Sequence, residues 1–203
     1  NPLKLAEYTL SRKDPGYVAR AKEIQKLEKI RLDNPETPEL LARVREICAC
    51  ADLPETLTQI NSLAKIGLGS IIFAMKPGDG SAREQAASCQ KVLGGWANLA
   101  REYATERYRS NLINWGMLPF VIAGDFKEYI QHIQVGAYLV IPDLRQAVEQ
   151  AQTNIQAWIT PNKADSLKGK PAKQIYLTLQ ELTQDERQII LSGSLINFYN
   201  KRT

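Results

Sequence analysis

The feature that most constrains the fold is a short apolar run, Ser70-Ile71-Ile72-Phe73-Ala74-Met75. It breaks into the loop Lys76-Pro77-Gly78-Asp79-Gly80 and resumes as a helical pattern from Ser81 to Leu93. A run of this length, rich in β-branched and aromatic residues and lacking polar alternation, reads as a buried strand. The motif then repeats. Gly94-Gly95 stops the helix, Trp96 to Arg101 is a second strand candidate, Thr105 to Trp115 is a helix ended by Gly116, and Leu118 to Ile122 is a third strand. Such alternation predicts an α/β domain.

Further along, Asp125 to Ile133 reads as a short helix, Tyr138 to Ile141 as a strand and Leu144 to Gln152 as a helix. Ile155 to Ile159 and Gln174 to Leu179 are strands that could pair. They flank a polar loop whose lysines, Lys163, Lys168, Lys170 and Lys173, read as solvated rather than as a binding patch. Thr183-Gln184-Asp185-Glu186 has capping-box form and opens a C-terminal helix, which Gly193 interrupts before a second piece at Leu195 to Tyr199.

Residues 1–53 read as a helical extension, and 54–203 as the α/β domain. Leu3 to Leu10 is a short apolar-periodic piece. Asp14-Pro15 is a helix start, and Val18, Ala21, Ile24, Leu27 and Ile30 then recur at helical spacing up to Asp33-Asn34-Pro35. Thr37-Pro38-Glu39 opens another helix through Cys50, with Leu40, Leu41, Val44 and Ile47 on its apolar face. Beyond Leu57, the residues Ile60, Leu63, Ala64 and Ile66 predict a further short helix stopped by Gly67.

Bulk properties exclude several classes. The net charge of +4 helps attract an anion but is far from the basic patch of a nucleic-acid binder. No apolar run reaches the length of a membrane span, and no signal peptide is visible. The chain opens on Asn1-Pro2 without methionine, which reads as a fragment or a processed chain. Three cysteines, an odd number, fit a reducing compartment. Cys48-Ala-Cys50 lacks C-x-x-C spacing and has no neighbour to complete a metal set, so both read as small core residues. The single histidine, His132, has no acidic partner or nucleophile near it in sequence and reads as surface or structural. Trp96, Trp115 and Trp158 lie in apolar patterns and read as core. Arg109-Ser110-Asn111 lies inside a helix rather than at its start and reads as structural.

Chemistry concentrates at Gly78-Asp79-Gly80-Ser81-Ala82-Arg83-Glu84, and two readings stand side by side. In one, Ser81-x-x-Glu84 is a capping box: the Ser81 hydroxyl accepts a first-turn N–H and Glu84 reaches back to the Ser81 N–H. In the other, the helix start is an anion site at the carboxyl end of a strand, where ligands of α/β proteins gather. Arg83 favours the second, because a cation in a first turn opposes the helix dipole unless an anion accompanies it.

Gly80-Ser81-Ala82-Arg83-Glu84-Gln85-Ala86-Ala87 resembles the Gly-Ser-Ser-Arg-Glu-His-Ala-Ala signature of aconitases and isopropylmalate isomerases. Leu93-Gly94-Gly95-Trp96-Ala97 resembles the segment after the signature helix in aconitase. Tyr108-Arg109-Ser110-Asn111-Leu112-Ile113-Asn114-Trp115-Gly116-Met117-Leu118-Pro119 is similar to the family's R-x-x-N-L-x-x-x-G-L-L-P stretch, and Thr183 to Asn200, with Gly193-Ser194, to its ending. The resemblance covers roughly residues 57–203 and implies a swivel-like β/β/α fold, closest to a divergent hydratase branch.

Carried residue by residue, the resemblance implies that Ser81 is the catalytic base, as an alkoxide, and that Arg83 binds a substrate carboxylate. Gly80 and Ala82 join the substrate-binding loop. Ala82 stands where the family has a second, substrate-contacting Ser, and Gln85 where the signature has His. The Thr-Asp-His-Ile-Ser-like stretch that precedes a further substrate Arg is not found. The implied activity is a hydro-lyase acting on a small hydroxy-polycarboxylate. The implied cofactor is a [4Fe-4S] cluster whose cysteine ligands lie in other domains, with none in this chain. The implied partner is the cluster-bearing part of the same polypeptide or a large subunit, in the cytoplasm, and this chain alone is expected to be inactive. Alternatives are a stand-alone small subunit of an isopropylmalate-type isomerase and, from another class, an RNA-binding module of an aconitase relative.

Overall fold

A computed structural model of the chain describes residues 1–12, 14–49, 53, 59–162 and 171–201. It opens with three helices, α1 (Pro2–Ser11), α2 (Pro15–Asp33) and α3 (Pro38–Ala49). The first two start alike. A short polar side chain accepts a first-turn N–H, from Leu3 to Asn1 and from Gly16 to Asp14, and proline takes the first helical position, where its missing N–H costs nothing.

The α/β part follows in the order β1 (Ser70–Ala74), α4 (Arg83–Val92), β2 (Gly95–Ala100), α5 (Glu106–Asn114), β3 (Leu118–Ala123) and α6 (Phe126–Tyr129), which runs into a 3-10 turn at Ile130–His132. Then come β4 (Tyr138–Val140), α7 (Leu144–Glu149), β5 (Ile155–Thr160), β6 (Lys173–Thr178), α8 (Gln184–Ser192) and α9 (Leu195–Asn200). The strands form one six-stranded mixed sheet in the order β1-β2-β3-β6-β5-β4. The first three are parallel, as their crossover helices α4 and α5 require, and the other pairings are antiparallel. The expected α/β class is therefore what forms, with β5 and β6 paired.

The main core gathers Leu99, Phe120, Ile175 and Leu177 from the sheet with Ile113, Val148 and Ile189 from helices. Phe120, Ile175 and Leu177 are fully buried, each stabilising the fold by about 1.5–3 kcal/mol. Strand alternation then fixes where the helical extension sits. Ala157 and Ile159 of β5 belong to the main core, while Trp158 between them packs with Leu40, Leu41, Val44 and Cys48 of α3. Meanwhile Ala6 of α1 and Ala21 of α2 pack on Cys89 and Leu93 at the end of α4. The extension thus covers the signature helix and one face of the sheet. The division between residues 53 and 54, Cys50, Leu57, and the lysines Lys163, Lys168 and Lys170 fall on or beside segments outside the described residues. Lys173 lies in β6, where it pairs with Glu128. Among the described residues no helix is long and apolar enough to cross a membrane.

Two local expectations are corrected. The stretch around Ile60 to Ile66 contains a turn rather than a helix, with Ile66 N–H on Leu63 O at 3.1 Å. Its backbone groups bond elsewhere: Leu63 N–H donates to Pro35 O at 2.8 Å, and Leu63 O accepts from Arg31 Nη1 at 3.1 Å. Tertiary ties therefore replace the intrahelical ladder. Trp96 is not core but 39% exposed. The β1–β2 register slips between Ser70↔Gly95 and Ile71↔Ala97, leaving Trp96 as the extra residue of a bulge, turned over Gly67 and Gly69. A side chain at either glycine would collide with the indole.

Candidate active site

The loop between β1 and α4 leaves the sheet where Ala74 pairs with Ala100, at the carboxyl edge of the parallel strands. Its base is tied to the segment after β2. Glu102 N–H donates to Met75 O at 3.2 Å, Ala104 N–H to Pro77 O at 2.9 Å, and Lys76 pairs with Glu102 at 3.0 Å. Gly78 has φ +101°, and an added Cβ would sit 2.5 Å from the Tyr108 side chain, so the loop needs glycine there for both angle and space. Beneath it, Tyr108 Oη accepts from the buried Asn98 amide at 2.9 Å. Burial pushes the Tyr108 hydroxyl above its ordinary pKa, with the Asn98 bond opposing that rise. Burial likewise raises Tyr103, whose hydroxyl donates to the Asn98 and Phe120 carbonyls at 3.4 Å.

Above this floor the loop is open. Gly80, Ser81 and Ala82 are exposed, and nothing lies within 4 Å of a Cβ built on Gly80. The helix begins later than the capping-box reading requires. Ala82, not Ser81, is the N-cap of α4, and no side chain caps it. The expected box is absent because both of its halves are engaged by α5. The Trp115 indole N–H donates to Glu84 Oε1 at 2.6 Å. Asn111, with its amide nitrogen towards the carboxylate, donates to Glu84 Oε2 at 3.3 Å, and its oxygen accepts from Glu84 N–H at 3.1 Å. That amide orientation is assigned from its neighbours, and it is the one that satisfies donor and acceptor together.

Ser81 and Arg83 therefore come together on one open loop. Among the described residues no partner holds the Ser81 hydroxyl. Arg83 Nε donates to Gly78 O at 3.0 Å, a carbonyl that also accepts from Thr105 Oγ1 at 3.0 Å. One edge of the guanidinium is thereby fixed, while the terminal amines have no partner among the described residues and remain available as a fork. Serine oxygen, an oriented guanidinium and a helix start can together receive an anion.

A model of the aconitase C-terminal domain matches residues 21–125, more than half of the chain, including the whole of this loop and both helices that shape it. The chain belongs to the aconitase C-terminal domain family. The match starts within α2, inside the helical extension. Among solved structures, the chain is similar to the crystal structure of 3-isopropylmalate dehydratase from Methanocaldococcus jannaschii. They share 26% identity over 74% of this chain and 71% of that one, with a TM-score of 0.43. No curated protein matches the chain.

The other residues singled out in the sequence divide clearly. Arg109 is buried and structural: Nη2 donates to Leu179 O and Glu181 O at 3.1 Å, anchoring the segment between β6 and α8. His132 is half-buried in the 3-10 turn. Cys48 and Cys89 are buried in separate clusters, on α3 and α4, and burial raises the Cys48 thiol pKa. Among the described residues no three His, Cys, Asp or Glu side chains are grouped to hold a metal. Sequence reasoning missed Thr105, Asn111 and Trp115 as residues that shape the loop. The available signal was the i,i+4 spacing of Asn111 and Trp115, which puts both on one face of α5.

Proposed function

We propose that this aconitase C-terminal domain supplies the base and a carboxylate clamp to a hydro-lyase that interconverts a small hydroxy-polycarboxylate and its unsaturated counterpart. The observation that carries the reading is the unbonded Ser81 hydroxyl beside the half-tethered Arg83 on an open helix start. In this reading Arg83 Nη1 and Nη2 grip a substrate carboxylate, which sets the adjacent C–H against Ser81 Oγ. The C–H bond breaks, its proton passes to the Ser81 alkoxide to give the hydroxyl, its electron pair forms the new C–C π bond, and the C–O bond of the neighbouring carbon breaks, the departing hydroxide taking a proton from the partner side of the site to leave as water. Hydration runs the same steps backwards.

A serine hydroxyl is a weak acid, so its alkoxide needs stabilisation from the guanidinium and the first-turn N–H groups. Gly80 lets substrate approach the backbone. Ala82, lacking a hydroxyl, makes that side of the site apolar and favours a substrate with fewer polar groups there. The [4Fe-4S] cluster implied by the family resemblance is assigned to the partner, and no residue of this chain is given a role on it.

Two arrangements serve the same residues equally. In one, the cluster-bearing domains belong to the same polypeptide; in the other, this chain is the small subunit of an isopropylmalate-type isomerase beside a separate large subunit. The mass of the polypeptide in source cells separates them. The test of the reaction combines the domain with its cluster-bearing partner and follows the absorbance of the unsaturated product across hydroxy-tricarboxylates and related diacids. Turnover of at least one acid, with KM raised about tenfold or more in Arg83→Gln, is expected. Absence of turnover on all of them, with an intact cluster, contradicts the reading.

A further inference from the structure

Ser81-Ala82-Arg83-Glu84 can begin a helix in two ways, and the structure contains the device that chooses between them. In a capping box the Ser81 hydroxyl would accept the Glu84 N–H, and the Glu84 carboxylate would accept the Ser81 N–H. Both groups are already taken. Asn111 Oδ1 holds the Glu84 N–H at 3.1 Å, and the Glu84 carboxylate is held by Trp115 Nε1 at 2.6 Å and by Asn111 Nδ2 at 3.3 Å. The helix accordingly starts at Arg83, and Ala82 is an uncapped N-cap.

The competing arrangement is not hypothetical for this chain. Thr183-Gln184-Asp185-Glu186 has the same spelling and forms the complete box, with Glu186 N–H on Thr183 Oγ1 at 3.2 Å and Thr183 N–H on Glu186 Oε2 at 2.8 Å. Helix α5 reaches both motifs: at Glu186 it offers Arg109 Nη1 to Oε1 at 3.6 Å and leaves Oε2 on the Thr183 N–H, whereas at Glu84 it brings an amide and an indole at i,i+4 spacing that take the carboxylate and the N–H.

We infer that Asn111, with Trp115, is a positioning residue that withholds both halves of the capping box and so keeps the Ser81 hydroxyl unbonded and facing substrate. The inference deepens the proposed function and rests on it for the role of Ser81, but its structural core can be tested without activity. Asn111 touches neither substrate nor reacting atoms; it acts through Glu84.

The test uses the full chain and two readouts by NMR. The first is the 13Cα and 13Cβ shift pair of Ser81, which reports N-cap geometry. The second is a titration with citrate as anion probe, followed at the amides of residues 80–83. In wild type the N-cap signature is expected to be absent at Ser81. In Asn111→Leu it appears, α4 lengthens by one residue, and the citrate concentration at half-saturation rises about three- to thirty-fold, the range over which a Ser cap competes. Lowered Tm with an unchanged Ser81 signature and an unchanged citrate response would assign Asn111 a merely structural part and overturn the inference. Asn111→Asp guards against loss of folding. It is isosteric and repels the Glu84 carboxylate, so the Ser81 amide resonance is expected to move downfield as Glu84 returns to it; a stationary resonance overturns the inference. If citrate fails to shift wild-type residues 80–83, the substrate reading falls, and the Ser81 signature in the two variants alone still decides the positioning claim.

Discussion

At Thr183 the side-chain oxygen accepts from Glu186 N–H and the Glu186 carboxylate accepts from Thr183 N–H, so α8 begins fully capped. At Ser81 the same Ser/Thr-x-x-Glu spelling produces neither bond, and α4 begins one residue later than that spelling places it. At the first motif α5 reaches only one carboxylate oxygen, Arg109 Nη1 lying 3.6 Å from Glu186 Oε1, and Oε2 stays on the Thr183 N–H at 2.8 Å. The second faces Asn111 and Trp115, which take the Glu84 N–H and carboxylate. A capping box is a local arrangement of modest strength, and a well-placed pair on an adjoining helix displaces it. The difference separates a helix start that stabilises from one whose serine remains chemically available.

The largest expected contrast is functional. In the proposed hydro-lyase, Ser81→Ala is expected to lower kcat by about 10²–10⁴-fold, as loss of a general base does, while Thr183→Ala leaves turnover within about twofold. Urea unfolding should show the reverse order, with Thr183→Ala losing about 1 kcal/mol and Ser81→Ala little. Equal kinetic effects would dissolve the distinction between the two helix starts.

A glycine in each region sharpens the comparison, Gly78 in the loop before α4 and Gly193 at the C-cap of α8. Gly78 and Gly193 both have positive φ, but a Cβ at Gly78 meets Tyr108 at 2.5 Å, whereas one at Gly193 has only Asn197 Nδ2, at 3.7 Å. Gly193→Ala is expected to cost about 1–2 kcal/mol from backbone strain. Gly78→Ala should cost about 1–3 kcal/mol more through overpacking, measured as the shift in urea midpoint.

Tyr108→Phe leaves the buried Asn98 amide without its acceptor and is expected to destabilise by about 1–3 kcal/mol. It also carries a sign in pH. Burial raises the Tyr108 hydroxyl pKa, so the folded state favours the neutral phenol. That contribution is complete below about pH 10 and is lost as pH rises through the higher folded value. The phenylalanine variant should show a shallower loss of stability in alkaline urea titrations. Trp115→Phe is expected to cost no more than about 1 kcal/mol, because Glu84 is exposed and Asn111 still holds it.

Much of the fold was legible because hydrophobic period and stop signals agree along the α/β part. The glycine pair at 94–95 and the Thr183 box became the elements they predict, and the apolar run at 70–75 became a strand, though a half-buried one at the sheet edge rather than a buried one. The residues of the candidate site were legible through the family signature and the anion chemistry of Arg83. What could not be read were outcomes decided by partners distant in sequence. The turn near Leu63 is set by Pro35 and Arg31, the exposure of Trp96 by a bulge in β1–β2 register, and the fate of the Ser81 box by a helix about thirty residues away. Local spelling specifies what a segment can do; packing selects among the options.

The central claim, that Ser81 is held out of the cap while Thr183 is in one, is tested most directly by the 13Cα and 13Cβ shifts of these two residues in the wild-type chain. The account predicts the N-cap signature at Thr183 and ordinary loop values at Ser81. N-cap shifts at both residues would contradict it.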